Sequence, residues 1–162
     1  MKNGLGIEHP LCDKIQLLMV MLFFVVWSVD SASYFFFGYS TVILEIFVFP
    51  SLLAGTALFL SLSLYLISKC HKAVLEQAHD QPHFVDSGIY AWIRHPLYLG
   101  TLLFCLSFLF LSASLVSFGI WVTFFMLYDR MATYEEKSLI AILGEQYISY
   151  QKKVSKWIPK LL

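Results

Sequence analysis

The sequence predicts an all-α integral membrane protein. It has four transmembrane helices, the last two forming a helical hairpin, and a C-terminal amphipathic helix on the cytoplasmic side. Three observations predict this. The chain of 162 residues is 59% hydrophobic and only 14% charged, the latter about half the usual share of a soluble domain. A soluble fold this small leaves too much surface in water to hide that much apolar area. Apolar runs recur at about 15–37, 42–67, 97–111 and 115–131, and a spanning helix needs about 20 such residues. Finally, all 11 Lys and Arg lie in the N-terminal tail, the 69–96 connection or the C-terminal tail.

The first run, Ile15 to Phe37, is interrupted only by Asp30–Ser33. Ser31-Ala32-Ser33 offers the small residues of a cleavage site, but a 14-residue leader with two acids, Glu8 and Asp13, is a poor signal n-region. The run therefore reads as a span. The second contains Glu45 and Pro50. Proline kinks a helix, and an acid within a span is a functional candidate unless it lies close enough to the edge to reach water. The third and fourth runs are short and split by Ser112-Ala113-Ser114, which suits a tight hairpin.

No Lys or Arg lies near 30–41 or 112–114. With four spans, the three basic segments share one side, and the positive-inside rule makes that side cytoplasmic, with both termini there. The formal charge is zero, from 11 bases and 11 acids, so no polyanion and no nucleic acid is expected as partner. Cys12, Cys70 and Cys105 are odd in number and lack metal spacing. They read as free thiols.

The connection 69–96 is too long and polar for a plain link between spans and holds four of the five His. Long polar segments in small folds are usually functional or disordered, and Phe84, Tyr90 and Trp92 argue against disorder. Residues 73–78 are good helix formers that extend the second span. Gln81-Pro82 breaks the helix, Ser87-Gly88 marks a turn, and Pro96 suits the first turn of the third span. His79 and His83 are four apart, but Pro82 intervenes and no HExxH or Cys pair accompanies them, so no metal is expected.

After the fourth span, Leu139, Leu143, Tyr147, Tyr150, Val154 and Trp157 recur at helical spacing as one apolar stripe. This reads as a helix resting on the membrane surface. Lys152, Lys153 and Lys156 complement its dipole and anionic headgroups, and Trp157 anchors it. That reading leaves the adjacent acids Glu135 and Glu136 without a role.

The stretch Ser87-Gly88-Ile89-Tyr90-Ala91-Trp92-Ile93-Arg94-His95-Pro96-Leu97-Tyr98-Leu99-Gly100 resembles the GxYxxxRHPxYxG signature of integral-membrane methyltransferases. Glu135-Glu136, followed by Gly144-Glu145-Gln146-Tyr147, Tyr150 and Val154, resembles their second signature. Order and spacing are similar to the isoprenylcysteine carboxyl methyltransferase family, with the phospholipid methyltransferases as relatives. The resemblance covers about residues 69–159 of a chain read as one domain, 1–162.

This resemblance implies S-adenosylmethionine as cofactor, in a pocket at the cytoplasmic face covered by the C-terminal segment. Carried onto matching positions, the cofactor-binding residues are His83, Phe84, Val85, Tyr90, Arg94, His95, Pro96, Leu97, Tyr98, Glu135 and Glu136. They fall in two elements, 82–100 and 130–158. Arg130 is the candidate for orienting the substrate's carboxylate. The implied partners are membrane lipids and a lipidated or lipid-like methyl acceptor.

The side chains suit this chemistry. Arg and His can bind a carboxylate, Glu can accept from an ammonium or ribose hydroxyls, and Tyr and Trp faces suit adenine or a cation. Methyl transfer depends mainly on positioning, and a carboxylate acceptor is already ionised at neutral pH. A phospholipid amine or small thiol is an alternative acceptor. From other classes, a small transporter would use Glu45 as coupling acid, and a reductase relative would bind NADPH.

Overall fold

Apolar side chains that point outward along most of the chain shape the architecture. In the computed structural model, residues 12–39, 49–79 and 84–159 are described, and they form five α-helices. These are α1 (Cys12–Phe37), α2 (Phe49–His79), α3 (Pro96–Ser112), α4 (Leu115–Leu143) and α5 (Glu145–Lys153). A single 3-10 turn, Gly88–Ala91, precedes α3. Among the described residues, three helices are long and apolar enough to cross a membrane: Lys14–Phe37, Pro50–Ala73 and Leu115–Leu143. The apolar α3 has 17 residues.

Leu17, Leu18, Met21, Leu22, Val25 and Val29 of α1 are all exposed. An apolar surface this continuous is solvated by lipid rather than water. Polar atoms turn inward instead. Trp27 Nε1 donates to Phe108 O at 3.0 Å and to Ser112 Oγ at 2.8 Å, tying α1 to α3. At the same end Ser114 Oγ donates to Asp30 Oδ2 at 2.6 Å.

The most extensive helix pairing is α2 with α3, which run antiparallel. Small residues make the close approach possible, as they do between membrane helices generally. Ser63 Oγ donates to Gly100 O at 2.8 Å. A Cβ on Gly100 would stand 2.9 Å from Ile67 Cγ1, and one on Gly55 would stand 2.4 Å from the Phe110 ring. A second set of contacts joins α1, α3 and α4 through Phe23, Tyr98, Leu102, Cys105, Phe124 and Tyr128.

The expected boundaries hold for α1 and α3, and α2 continues to His79 as its helix-forming end predicts. The expected start of the second span, 42–48 with Glu45, lies outside the described residues. Two differences appear elsewhere. The link between α3 and α4 is as short as a hairpin requires, with Ala113 left-handed at φ 51° and Ser114 accepting from Ser117 N. Yet α3 rests mainly on α2 rather than on its hairpin partner. The second difference is at the end of the chain. α4 runs unbroken to Leu143, and the expected surface helix is divided at Gly144, whose φ of 55° and ψ of −128° stop it. The apolar stripe does not lie on a membrane surface as a whole. Tyr147, Tyr150 and Val154 are buried against Phe84, Leu139, Ile140 and Leu143.

Candidate functional site

The charged side chains that do go inside meet at one end of the bundle. Gly88, at φ 62°, allows the turn that brings the chain back to α3. Pro96 occupies the first turn of α3, where its missing N–H costs nothing. Arg94 and His95 are thereby fixed at the mouth of that helix.

Arg94 is held on two sides. Its Nε donates to Glu136 Oε1 at 2.9 Å, and its Nη1 donates to Gln151 O and Val154 O, both at 3.0 Å. It thus joins α4 to the end of α5. Gln151 Nε2 donates to Glu136 Oε2 at 3.1 Å. Side-chain exposure is 12% for Arg94 and 10% for Glu136. A pair this buried is stabilising only because its remaining hydrogen-bond sites are also occupied.

Glu135 and Glu136 are consecutive on α4, so their side chains diverge by about 100° around the helix. They meet the two nitrogens of one imidazole. His95 Nε2 lies 3.0 Å from Glu136 Oε1, and its Nδ1 lies 3.7 Å from Glu135 Oε2. Tyr98, one turn beyond His95 on α3, donates its hydroxyl to Glu135 Oε1. The rings of His95 and Tyr98 stack at 5.8 Å, and Tyr98 stacks on Tyr128 at 5.0 Å.

The residues after α5 form a strap. Ile93 and Ser155 make a parallel bridge, with Arg94 N donating to Ser155 O at 2.9 Å. Trp157 brings its ring within 6.2 Å of His95. Tyr150 donates its hydroxyl to Tyr90 O at 2.6 Å, and Phe84 packs edge-on against Tyr147 and Tyr150. Burial pushes both phenols, Tyr147 and Tyr150, above their ordinary pKa, so they remain neutral. An open cavity of about 430 Å³ lies beside the strap, with Phe84, Asp86, Ala91, Tyr150, Lys153 and Val154 in its walls. Its size is in the range of small-molecule sites.

Of the residues singled out from sequence, Arg94, His95, Tyr98, Glu135 and Glu136 converge directly. Phe84 and Tyr90 reach α5, next to them. Pro96 is buried, Leu97 and Val85 are half-buried, and His83 lies outside the described residues. Arg130 is exposed on α4, on a different face from Glu135 and Glu136. Gln151, Asp129 and Lys156 belong to the same region without having been anticipated. Lys156, expected among lipid headgroups, instead pairs with Asp129 at 2.6 Å.

The arrangement defines a small helical protein with a lipid-facing exterior and one buried charged cluster, anchored by an Arg-His-Pro helix start and a pair of acids. A family model for phospholipid methyltransferases matches residues 46–146. The chain belongs to that family. It is similar to a methanethiol S-methyltransferase of a Pseudomonas sp., 29% identical over 142 residues, covering 83% of this chain and 50% of that protein. It is also similar to protein-S-isoprenylcysteine O-methyltransferases. The one from Xenopus laevis is 31% identical over 93 residues, 57% of this chain and 32% of its own. The one from Homo sapiens is 30% identical over 93 residues, 57% of this chain and 33% of its own. The chain thus spans about half the length of the first of these relatives and a third of the others.

Proposed function

We propose that the protein is an S-adenosylmethionine-dependent methyltransferase working at the cytoplasmic face of a membrane. The observation that carries this reading is the buried cluster in which His95 lies between Glu136 and Glu135 while Tyr98 holds Glu135. In the proposed topology, α1 to α4 cross the bilayer, both termini are cytoplasmic, and 1–162 is one domain.

The donor set fits the cofactor chemically. Glu135 suits an ammonium or ribose hydroxyls. The rings of Tyr98 and Phe84 suit adenine or a cation. Asp86 and Lys153, of opposite sign in the cavity wall, suit the two ends of an amino acid. When bound, the cofactor supplies an electrophilic methyl group. The chain's own work is binding, orientation and exclusion of water. Arg94 and Glu136 contribute by fixing the loop, α4 and the strap, since their hydrogen bonds run within the protein.

The proposed acceptor is the carboxylate of an isoprenylcysteine-like or other lipid-borne molecule, with Arg130 as the candidate for orienting it. Such a group arrives ionised and asks no general base of the protein. A small thiol is the second reading, favoured by the methanethiol S-methyltransferase that aligns with 83% of this chain. A small alkyl thiol, less acidic than a cysteine side chain of about 8.5, arrives protonated at neutral pH.

Calorimetry on protein purified in detergent tests the core of this reading. Wild-type protein is expected to bind S-adenosylmethionine, with affinity weakened about tenfold in Glu135→Gln, the loss of one charge-assisted contact. Folded wild-type protein that binds none overturns the proposal. Transfer of a labelled methyl group to a prenylcysteine analogue, a small thiol and phosphatidylethanolamine then separates the acceptors. A rate that keeps climbing as the pH is raised past about 8.5 marks the thiol, and a flat profile marks the carboxylate.

A further inference from the structure

We propose that Asp129 and Lys156 are positioning residues that pin the C-terminal strap, residues 154–157, across His95. This inference rests on the methyltransferase reading for its functional half: the pinned strap sets how tightly the methyl donor is held. The Lys156 ammonium has three donors, and all three find acceptors nearby. It donates to Asp129 Oδ1 at 2.6 Å, Asp129 O at 3.0 Å and Thr133 Oγ1 at 2.8 Å. Asp129 Oδ1 also accepts from Trp157 Nε1 at 2.9 Å. One carboxylate thus fixes two consecutive strap residues to α4.

The opposite edge of the strap is held by Arg94, through Ser155 O and Val154 O. Between these edges Trp157 lies 6.2 Å from the His95 ring and 5.4 Å from Phe125. The strap follows the end of α5 and has no helix of its own, so its place depends on these contacts. Asp129 is 45% exposed and Lys156 18%. Water therefore weakens each bond taken singly, and the convergence of four bonds on one spot does the fixing. The hydrogen bonds of Lys156 and Asp129 go to the strap and α4, while their charges reach Glu136 and His95 through space. Lys156→Met and Asp129→Asn change that field in opposite directions, so an effect shared by both belongs to the pin.

Lys156→Met, Asp129→Asn and the exchanged pair Asp129→Lys/Lys156→Asp test the pin. Hydrogen exchange reads the strap without any cofactor, and calorimetry reads donor affinity. Each single variant is expected to speed amide exchange over 154–158 by about tenfold, leave α2 and α3 unchanged, and raise the dissociation constant for S-adenosylmethionine about tenfold. The exchanged pair is expected to restore both only in part, because it rebuilds the ion pair but gives Trp157 Nε1 no acceptor and Asp129 O and Thr133 Oγ1 no donor. Unaltered strap exchange in both single variants overturns the pin. Faster exchange with unaltered affinity overturns its link to the donor. An exchanged pair no nearer to wild type than the single variants in both readouts overturns the pairing of these two side chains. Wild-type protein that binds no donor overturns the methyltransferase reading and the functional half with it, while exchange still decides the pin.

Discussion

Two neighbouring glutamates have different work, and only their surroundings tell them apart. Glu136 receives Arg94, His95 and Gln151, whereas Glu135 receives Tyr98 and faces the far nitrogen of His95. Glu136→Ala leaves a buried guanidinium without its counter-ion. That costs about 3 kcal/mol and is expected to lower the unfolding temperature in detergent markedly, with Glu135→Gln folding near normally. Tyr150→Phe removes the phenol that holds Tyr90 O at 2.6 Å. The cost there is about 1 kcal/mol, the loss of one part-buried hydrogen bond, and the same unfolding measurement checks it. In the sequence both acids were legible as a pair and as part of a signature, but their division of labour was not. Gln151 and Asp129 left no trace, and Lys156 read only as a headgroup contact, because a hydrogen bond across 15 or 27 residues imposes no period.

Helices make their closest approaches where a side chain is missing. At Gly55 and Gly100 the α2–α3 seam has no room for a methyl group. Gly55→Ala would drive Cβ to 2.4 Å from the Phe110 ring, and overpacking of this kind costs about 1–3 kcal/mol. Gly119→Ala on α4 is the control, since nothing lies within 4 Å of its added carbon. It is expected to be neutral or to stabilise by about 0.5–1 kcal/mol. Both changes are read by denaturant unfolding in matched detergent. At the α4–α5 joint, Gly144 sits at φ 55° and ψ −128°, a region that an L side chain enters at a cost of about 1–3 kcal/mol. Gly144→Ala is expected to shift α5 and slow methyl transfer as well as destabilise. The apolar stripe from Leu139 to Trp157 was legible, and its residues are indeed those that go inside. Its target was not, because the period carries across Gly144 and hides the break, and Phe84, the ring it packs on, comes from a loop more than 50 positions earlier.

At the scale of the molecule, charge placement is the argument for the proposed orientation. Lys69 and Lys72 near the end of α2, Arg94 at the start of α3, and Lys137, Lys152 and Lys153 at the end of the chain frame the charged cluster. A cysteine placed at Lys152 is expected to be shielded from an impermeant thiol reagent in intact cells, and one at Tyr39 is expected to react. The reverse pattern overturns the proposed orientation. That the chain is helical and apolar outside was legible because lipid leaves a helix no partner for its backbone but itself. Which helices touch was not, since an apolar exterior looks the same on every face.

The short third helix has a consequence of its own. Seventeen residues rise about 26 Å, a few ångströms less than a hydrocarbon layer of about 30 Å. In the proposed topology, with α3 as a span, the bilayer dimples beside it or the end that carries His95 lies beneath the ester carbonyls of the surrounding lipid. His95 and Glu135 would then sit at the depth where an amphiphile already keeps its polar end, and the proposed lipid-borne acceptor would enter laterally instead of being lifted into water. On that reading membrane thickness would act on turnover through this one helix. Protein reconstituted in long-chain phosphatidylcholine is expected to turn over a lipid-borne acceptor more slowly than in short-chain lipid, with a water-soluble acceptor much less affected.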